Sequence, residues 1–440
     1  MNRLVNILLL LAAVGLILLA GARHEELRRL KMEYEFTLVD PVENASPLVA
    51  FTTVALGGFR GLAADALWLR ATRLQDEGRY FELVQLSNWI TQLEPGFGPV
   101  WAFHAWNLAY NISVKYSEAE DRWRWVQSGI QLLRDKGLVY NPASAELYRE
   151  LAWIFHHKVS GVTDQAHWFY KQQWADEMER ALGGATPDFE ALETRADALD
   201  RYRLEPAFMQ QVENTYGPLD WRLPQAHAIY WAAKGRPFAR GFYEVALDRI
   251  IFDSLAEAFR RGKLFRDDER GVFINSPNLD LLPRVQAAYA KALADYPEED
   301  SIRRGHENFL REAIMIIYSH NRVRQARELF ADLKERYGSH IEADTLEEFI
   351  PAATADFLDK RAPREALPLI EGALYQSALW SALGEADLAA GHRQLAKLYW
   401  DHFMESAVSE EWIERMALPP LEELAAKAEK QAADYLQQMP

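Results

Sequence analysis

The chain has 440 residues, 49% hydrophobic and 12% aromatic, with a formal net charge of −16 and no cysteine. That length exceeds one ordinary compact core, and the apolar content excludes a disordered chain. The acidity excludes a nucleic-acid surface, which needs a basic face to displace counterions, and the missing cysteine excludes disulfides, thiolate nucleophiles and Cys-ligated zinc or iron–sulfur sites.

Residues 1–22 are the first predicted element. Leu4 to Ala22 is a charge-free run of nineteen residues, rich in leucine. At about 1.5 Å per residue it matches a hydrocarbon core of about 30 Å. The length favours an uncleaved anchor. Ala20-Gly21-Ala22 also has the small-x-small form of a cleavage site, so a signal peptide is the alternative. Residues 23–58 form a membrane-proximal linker. It holds Pro41, Asn44, Ser46 and Pro47, then the apolar stretch Leu48–Leu56, too short to span a bilayer, ending at Gly57-Gly58.

Helical periodicity starts at Phe59. Leu62, Ala66, Leu69, Arg70, Arg73 and Leu74 give one stripe at i, i+3/i+4 spacing, which stops at Glu77-Gly78. Tyr80, Leu83, Val84, Leu86, Trp89, Ile90 and Leu93 give a second, closed by Pro95. A second helix pair starts with Trp101, Ala105 and Leu108 and ends at Pro142, thirteen residues longer than a 34-residue repeat. The excess is predicted to be a loop from Asn111 to Arg122. A third pair runs from Ala145 to about Leu182, turning at Gly161, with Ala166 and Tyr170 on its second helix. Nine of the fourteen tryptophans lie between Trp68 and Trp174, which predicts the densest packing in this third of the chain.

Residues 183–300 read as an irregular helical middle. Tyr216–Pro224 is a turn with Asp220 as capping acceptor and Pro224 in the first turn of a helix ending at Gly235. Phe238–Gly262 is predicted as one long helix and Phe265–Pro283 as mostly loop. Pairs resume over 301–404, marked by Ala326 with Phe330 and Ala366 with Ile370. Residues 405–440 form an acidic tail with a capping helix. No stretch sustains period-two alternation, so no strand domain is predicted.

Gly78 at the inter-helix turn, Leu83 and Ile90 on the second helix, the terminal Pro95, and Leu67, Ala71 and Leu74 on the first helix resemble the tetratricopeptide repeat (TPR). The tryptophan-and-glycine signature of the first helix is missing. The wording Ala55-Leu56-Gly57-Gly58-Phe59-Arg60-Gly61, Gly78–Glu82, Asn107–Asn111, and Asp220–Pro224 followed by Ala226-His227 is similar to a group of uncharacterised bacterial membrane-anchored repeat proteins, over about half the chain. That resemblance implies an architecture and no activity. The fold class expected is all-α: antiparallel helix pairs in a TPR-like helical-repeat solenoid, a right-handed superhelix with one N-terminal transmembrane helix.

Localisation follows from two opposed signals. Arg3 precedes the span while Arg23, Arg28, Arg29 and Lys31 follow it, which by the positive-inside rule keeps the large domain in the cytoplasm. A short head before a leucine-rich span is also the form of export signals, and a thiol-free chain suits an oxidising compartment. The expectation is the outer, periplasmic face of a bacterial plasma membrane.

Among constellations, His157, Asp164 and His167, with His156 nearby, are the candidate metal ligands. Their spacing is poor, because adjacent helical residues point about 100° apart. The competing reading has Asp164 capping a helix. Gly57–Gly61 before a helix offers amides to an anion, against simple close packing. Arg122-Trp123-Arg124-Trp125 suits cation–π packing on a surface helix. No cofactor is called for.

If the first helices line a concave groove, as the resemblance implies, Asp65, Trp68, Thr72, Trp106, Ala109 and Tyr110 face a protein or peptide partner. Burial of Trp68 and Trp106 between repeats is the alternative. The leading function is therefore a non-catalytic, membrane-anchored scaffold. The alternatives are an all-α toroid acting on polysaccharide through paired carboxylates, and a structural spacer.

Overall fold

The computed structural model describes residues 23, 59–194, 197–267, 272–359, 366–406 and 419–438. The predicted span 1–22, the linker after Arg23, Gly57-Gly58 and part of the 405–440 tail lie outside the described residues. Within them, no helix is long and apolar enough to cross a membrane. The fold is mostly helical, with a single two-stranded sheet among the described residues. The chain divides into two compact units, Met1–Ile154 with Lys234–Tyr243, and Phe155–Ala233 with Glu244–Pro440.

The first unit opens with α1 (Phe59–Asp76) and α2 (Tyr80–Leu93). α1 buries Ala64, Ala71 and Leu74, whereas Leu62 and Leu69 are exposed. The buried face is thus the one carrying Leu67, Ala71 and Leu74, and the stripe through Leu62, Ala66 and Leu69 faces outward. Both stripes are apolar, so periodicity alone does not choose between them. α2 buries Leu83, Leu86 and Ile90 but leaves Trp89 exposed.

α3 (Gly98–Trp106) runs on through a π-helical segment, Asn107–Ile112, and a 3-10 turn, Ser113–Lys115. The predicted loop Asn111–Arg122 therefore shrinks to Tyr116–Glu118. Two polar residues that read as loop bond back to the helix: Asn111 Nδ2 donates to Asn107 Oδ1, and Ser113 Oγ to Ala109 O at 2.6 Å. α4 (Ala119–Leu132) follows, extended by a π segment, Leu133–Gly137, and a last turn, Leu138–Tyr140. It crosses α3 closely, since a Cβ at Gly129 would meet Ala105 O at 2.9 Å. α5 (Ala145–Trp153) continues as a π segment over Ile154–Val159.

In the second unit α6 (His167–Leu182) ends at Gly183, a left-handed residue at φ +80°. Short helices α7 (Phe189–Glu193) and α8 (Asp197–Asp200) precede α9 (Pro206–Tyr216). α10 (Pro224–Gly235) is buried on every side from Pro224 to Ala232. Trp221, just before it, is fully buried, and its indole N–H donates to Glu213 Oε2 at 2.9 Å. Asp220 is bound otherwise than as a cap of α10. It accepts from Arg222 at 2.9 and 2.8 Å and from the Leu264 N–H at 3.1 Å.

α11 (Phe242–Arg261) begins after Gly241, whose φ of +55° interrupts the helix predicted from Phe238. The stretch predicted as loop after it holds an antiparallel hairpin, β1 (Lys263–Asp267) and β2 (Val272–Ser276), with Phe265 opposite Ile274. It is fixed from outside. Leu264 packs on Ala175 and Leu223, and Arg266 pairs with Asp176 at 2.6 Å.

The remaining helices are α12 (Leu282–Asp295), α13 (Asp300–Ser319), α14 (Val323–Tyr337), α15 (Leu346–Asp359), α16 (Ala366–Ala382), α17 (Ala386–Ser406) and α18 (Leu421–Gln438). α18 buries Leu424, Ala425 and Ala428 against Ile370, Leu374 and Ala396.

Three helical hairpins share one turn. Gly78 joins α1 to α2 at φ +69°, Asn321 joins α13 to α14 at +58°, and Gly384 joins α16 to α17 at +83°. In each the next N–H reaches back five residues: Arg79 to Leu74 O at 2.9 Å, Arg322 to Ile317 O at 3.1 Å, Glu385 to Trp380 O at 2.9 Å. This is the Schellman closure, which satisfies orphan carbonyls at the helix end. Five residues after the left-handed residue stand Leu83, Ala326 and Ala389, and twelve after it Ile90, Leu333 and Ala396, all buried. Ala326 and Phe330 thus lie on a second helix as predicted, while Ala366 and Ile370 lie on a first helix, where Ile370 packs against α18.

A left-handed conformation costs an L-residue about 1–2 kcal/mol. Gly78→Ala should therefore destabilise by about 1 kcal/mol, and Asn321→Gly should stabilise by a few tenths, as shifts in urea midpoint. Equal effects of the same sign would contradict a shared turn.

Candidate functional site

The structure places the six predicted groove residues as follows. Asp65 and Thr72 are on the exposed side of α1, and the Thr72 hydroxyl donates back to Trp68 O at 3.1 Å. Trp68 is half-buried, with ring centroids 5.0 Å from Phe103 and 6.2 Å from Phe97. Trp106 and Tyr110 stack on each other at 5.4 Å. Burial, then Glu150, pushes the Tyr110 hydroxyl pKa up. Ala109 is fully buried under α4, beside Gly129. Two of the six thus form a stacked aromatic pair, two share an open helix face, Trp68 is half inside, and Ala109 belongs to the core.

The metal candidates have other partners. Asp164 accepts from Lys158 Nζ at 2.6 Å and from the Ala166 N–H at 2.9 Å, which closes a turn ahead of α6; the first N–H groups of α6 itself receive no side-chain cap. His167 Nδ1 lies 3.0 Å from Lys171 Nζ, which also donates to Gly161 O at 2.7 Å. Burial, followed by Lys171, lowers the His167 pKa, and burial, followed by Lys158, lowers that of His157. Among the described residues no group of three or more His, Asp or Glu side chains is placed to hold a metal. In the Arg-Trp run, Trp123 is buried and Arg124 pairs with Asp121 at 2.8 Å.

One concavity among the described residues was not predicted. It is a cleft of about 700 Å³ in the second unit, walled by α13, α15, α17 and the Ile341–Ala343 segment. Its hollow comes from small residues where large ones would fill it: Ser319, Ala343, Ala352 and Ala353. Its apolar surface comes from Met315, Ile316 and Leu395, all half-buried, with Tyr399 alongside. The walls are held by backbone contact. A Cβ at Gly391 of α17 would stand 1.8 Å from Ser319 O, so only glycine lets α17 cross the end of α13 there.

α15 is positioned by its start. Thr345 Oγ1 accepts from the Glu348 N–H at 3.3 Å, and Glu348 reaches back to the Asp344 N–H at 2.8 Å, in the manner of a capping box. Pro351 inside α15 has no N–H to give the preceding turn. Three residues on, Thr354 lines the cleft, is 2% exposed, and has no hydrogen-bond partner for its hydroxyl. A buried unpaired hydroxyl costs about 1–3 kcal/mol.

The charges around the cleft are Glu312, Glu342, Asp356 and Arg311. Arg311 binds Glu307 at 2.8 Å, and Glu312 accepts from Arg260 Nε at 2.7 Å. Lys334 Nζ donates to Ile341 O at 3.1 Å and to Ala343 O at 2.6 Å, fixing the segment between α14 and α15.

No protein-family model and no curated protein matches this chain.

Proposed function

We propose that the protein is a membrane-anchored, non-catalytic scaffold of TPR-like helix pairs that docks a segment of a partner protein in the cleft between α13, α15 and α17. The observation that carries this reading is the cleft itself. An apolar floor beside a charged rim, with one buried unpaired hydroxyl, forms the composition of a recognition site. The repeated turn at Gly78, Asn321 and Gly384 supports the TPR-like reading, since stacked pairs of this kind present extended binding surfaces. The charge-free run Leu4–Ala22 supports the anchor.

A photo-reactive phenylalanine analogue at position 352, in the cleft, should cross-link a discrete partner at the membrane. The same group at exposed position 328 of α14 should not. Equal cross-linking from both positions would sink the reading. The side of the membrane is proposed to be the outer one. A C-terminal reporter active only outside the cytoplasm should be active on a full-length product, and an inactive fusion would reverse the assignment.

A further inference from the structure

The cleft has a chemical character that narrows its occupant, and the following rests on the docking reading above. Three carboxylates, Glu312, Glu342 and Asp356, stand around it against one guanidinium, Arg311; Arg311 is paired with Glu307 and Glu312 with Arg260, so the excess of negative charge rests with Glu342 and Asp356. Its potential is therefore negative, within a chain of net charge −16. Low-dielectric walls concentrate such a field and favour a cationic ligand.

The Ile341–Ala343 wall adds a main-chain element. Ile341 is extended, at φ −124° and ψ 110°. The carbonyls of Ile341 and Ala343 converge on one ammonium, Lys334 Nζ. Alternate carbonyls of an extended segment point the same way, so the N–H and C=O of Glu342 between them point the other way. Those two groups make no hydrogen bond among the described residues. Glu342 is the exposed residue of this wall, and its free main-chain N–H and C=O are the groups with which an added peptide main chain pairs. The Thr354 hydroxyl, 2% exposed and without a partner, supplies a third polar contact inside the cleft.

We propose that the cleft binds an extended, basic peptide segment: its main chain pairs with Glu342, its Lys or Arg side chains meet Glu312, Glu342 and Asp356, and its intervening apolar side chains rest on Met315, Ile316 and Leu395. A small cation would use the carboxylates alone and leave the main-chain edge and the apolar floor unused.

The test uses the full-length chain in detergent and short fluorescein-labelled peptides that alternate leucine with lysine, glutamate or serine, read by anisotropy. The lysine peptide should bind at least about ten-fold more tightly than the other two, with strong salt dependence. Glu342→Gln with Asp356→Asn, both exposed positions, should remove most of that preference with thermal unfolding unchanged. Thr354→Val should weaken binding about three- to ten-fold. Ala352→Trp should abolish it, which separates cleft binding from attraction to an acidic surface. Equal affinity for the three peptides overturns the proposal. So does a backbone N-methylated lysine peptide that binds as well as its parent, or spermidine that displaces the probe at equal concentration, since either assigns a site for small cations. Cross-linking that persists at position 352 while the lysine peptide shows no preference leaves partner docking intact and removes the basic, extended occupant alone.

Discussion

Asp164→Ala should destabilise the second unit by about 3–5 kcal/mol, because it strands a buried ammonium. Lys158 and Asp164 side chains are each 3% exposed and meet at 2.6 Å. Asp164 also holds the Ala166 N–H in the turn just before α6. Coulomb attraction in so dry a place roughly offsets the cost of desolvating both charges. Deleting one partner leaves that cost uncompensated. Lys158→Met with Asp164→Leu should therefore recover most of the loss, apart from about 1 kcal/mol for the lost hydrogen bond to the Ala166 N–H. Urea unfolding of the two variants decides this. A double variant as unstable as Asp164→Ala would show that the pair itself, beyond the stranded charge, stabilises the fold.

Acidification should unfold the chain well above the range where carboxylates protonate. His104, His156, His306 and His392 are each pushed down to about 4, in every case by burial first. The lesser causes are Lys136 for His104, His157 for His156, Arg336 for His306 and His320 for His392. Each stays neutral in the folded chain while the unfolded chain takes up a proton below its ordinary value of 6.5. Stability is thus fully present above about pH 6.5 and is lost as pH falls toward 4, at up to about 1.4 kcal/mol per pH unit for each histidine. Asp253 works the other way. Burial raises its carboxyl to about 6, so the folded chain gains a proton there and offsets part of the loss.

His104 isolates the effect. It is 4% exposed and neither ring nitrogen has a hydrogen-bond partner. His104→Leu should leave stability near pH 7.5 within about 1 kcal/mol and lose less than the parent on going to about pH 5. Parallel pH profiles for parent and variant would show that this ring does not govern the acid response.

What could be read in advance follows from how local each signal is. The α1–α2 hairpin was legible because Gly78 marks its turn and the α2 stripe is amphipathic. The equivalent turn at Asn321 carries no glycine, yet asparagine tolerates the same left-handed conformation. The marker Ala366–Ile370 has the spacing of a second helix but sits on a first one, because a small residue followed by a large one four later suits any close helix contact. Asn111 to Arg122 read as loop through its polar residues, of which Asn111 instead bonds the Asn107 side chain and Ser113 the Ala109 carbonyl of the continuing helix. The β1–β2 hairpin is short, and its anchors lie far off at Asp176, Asp220 and Leu223. Tryptophan density misled in part, since Trp89, Trp106 and Trp168 are 46%, 37% and 55% exposed. The cleft was invisible for a general reason. A hollow is made by side chains too small to fill it, and Ser319, Ala352 and Leu395 come from three separate helices with no spacing to link them.

The most direct measurement compares proteins retained by the full-length chain and by its Ala352→Trp variant, purified from membranes in parallel and quantified by mass spectrometry. Position 352 is exposed at the cleft and surrounded by space, so tryptophan fills the hollow without entering the core. A partner retained by the parent and depleted about ten-fold or more from the variant, at unchanged thermal stability, is the predicted outcome. Identical sets of retained proteins from both chains would contradict docking in the cleft.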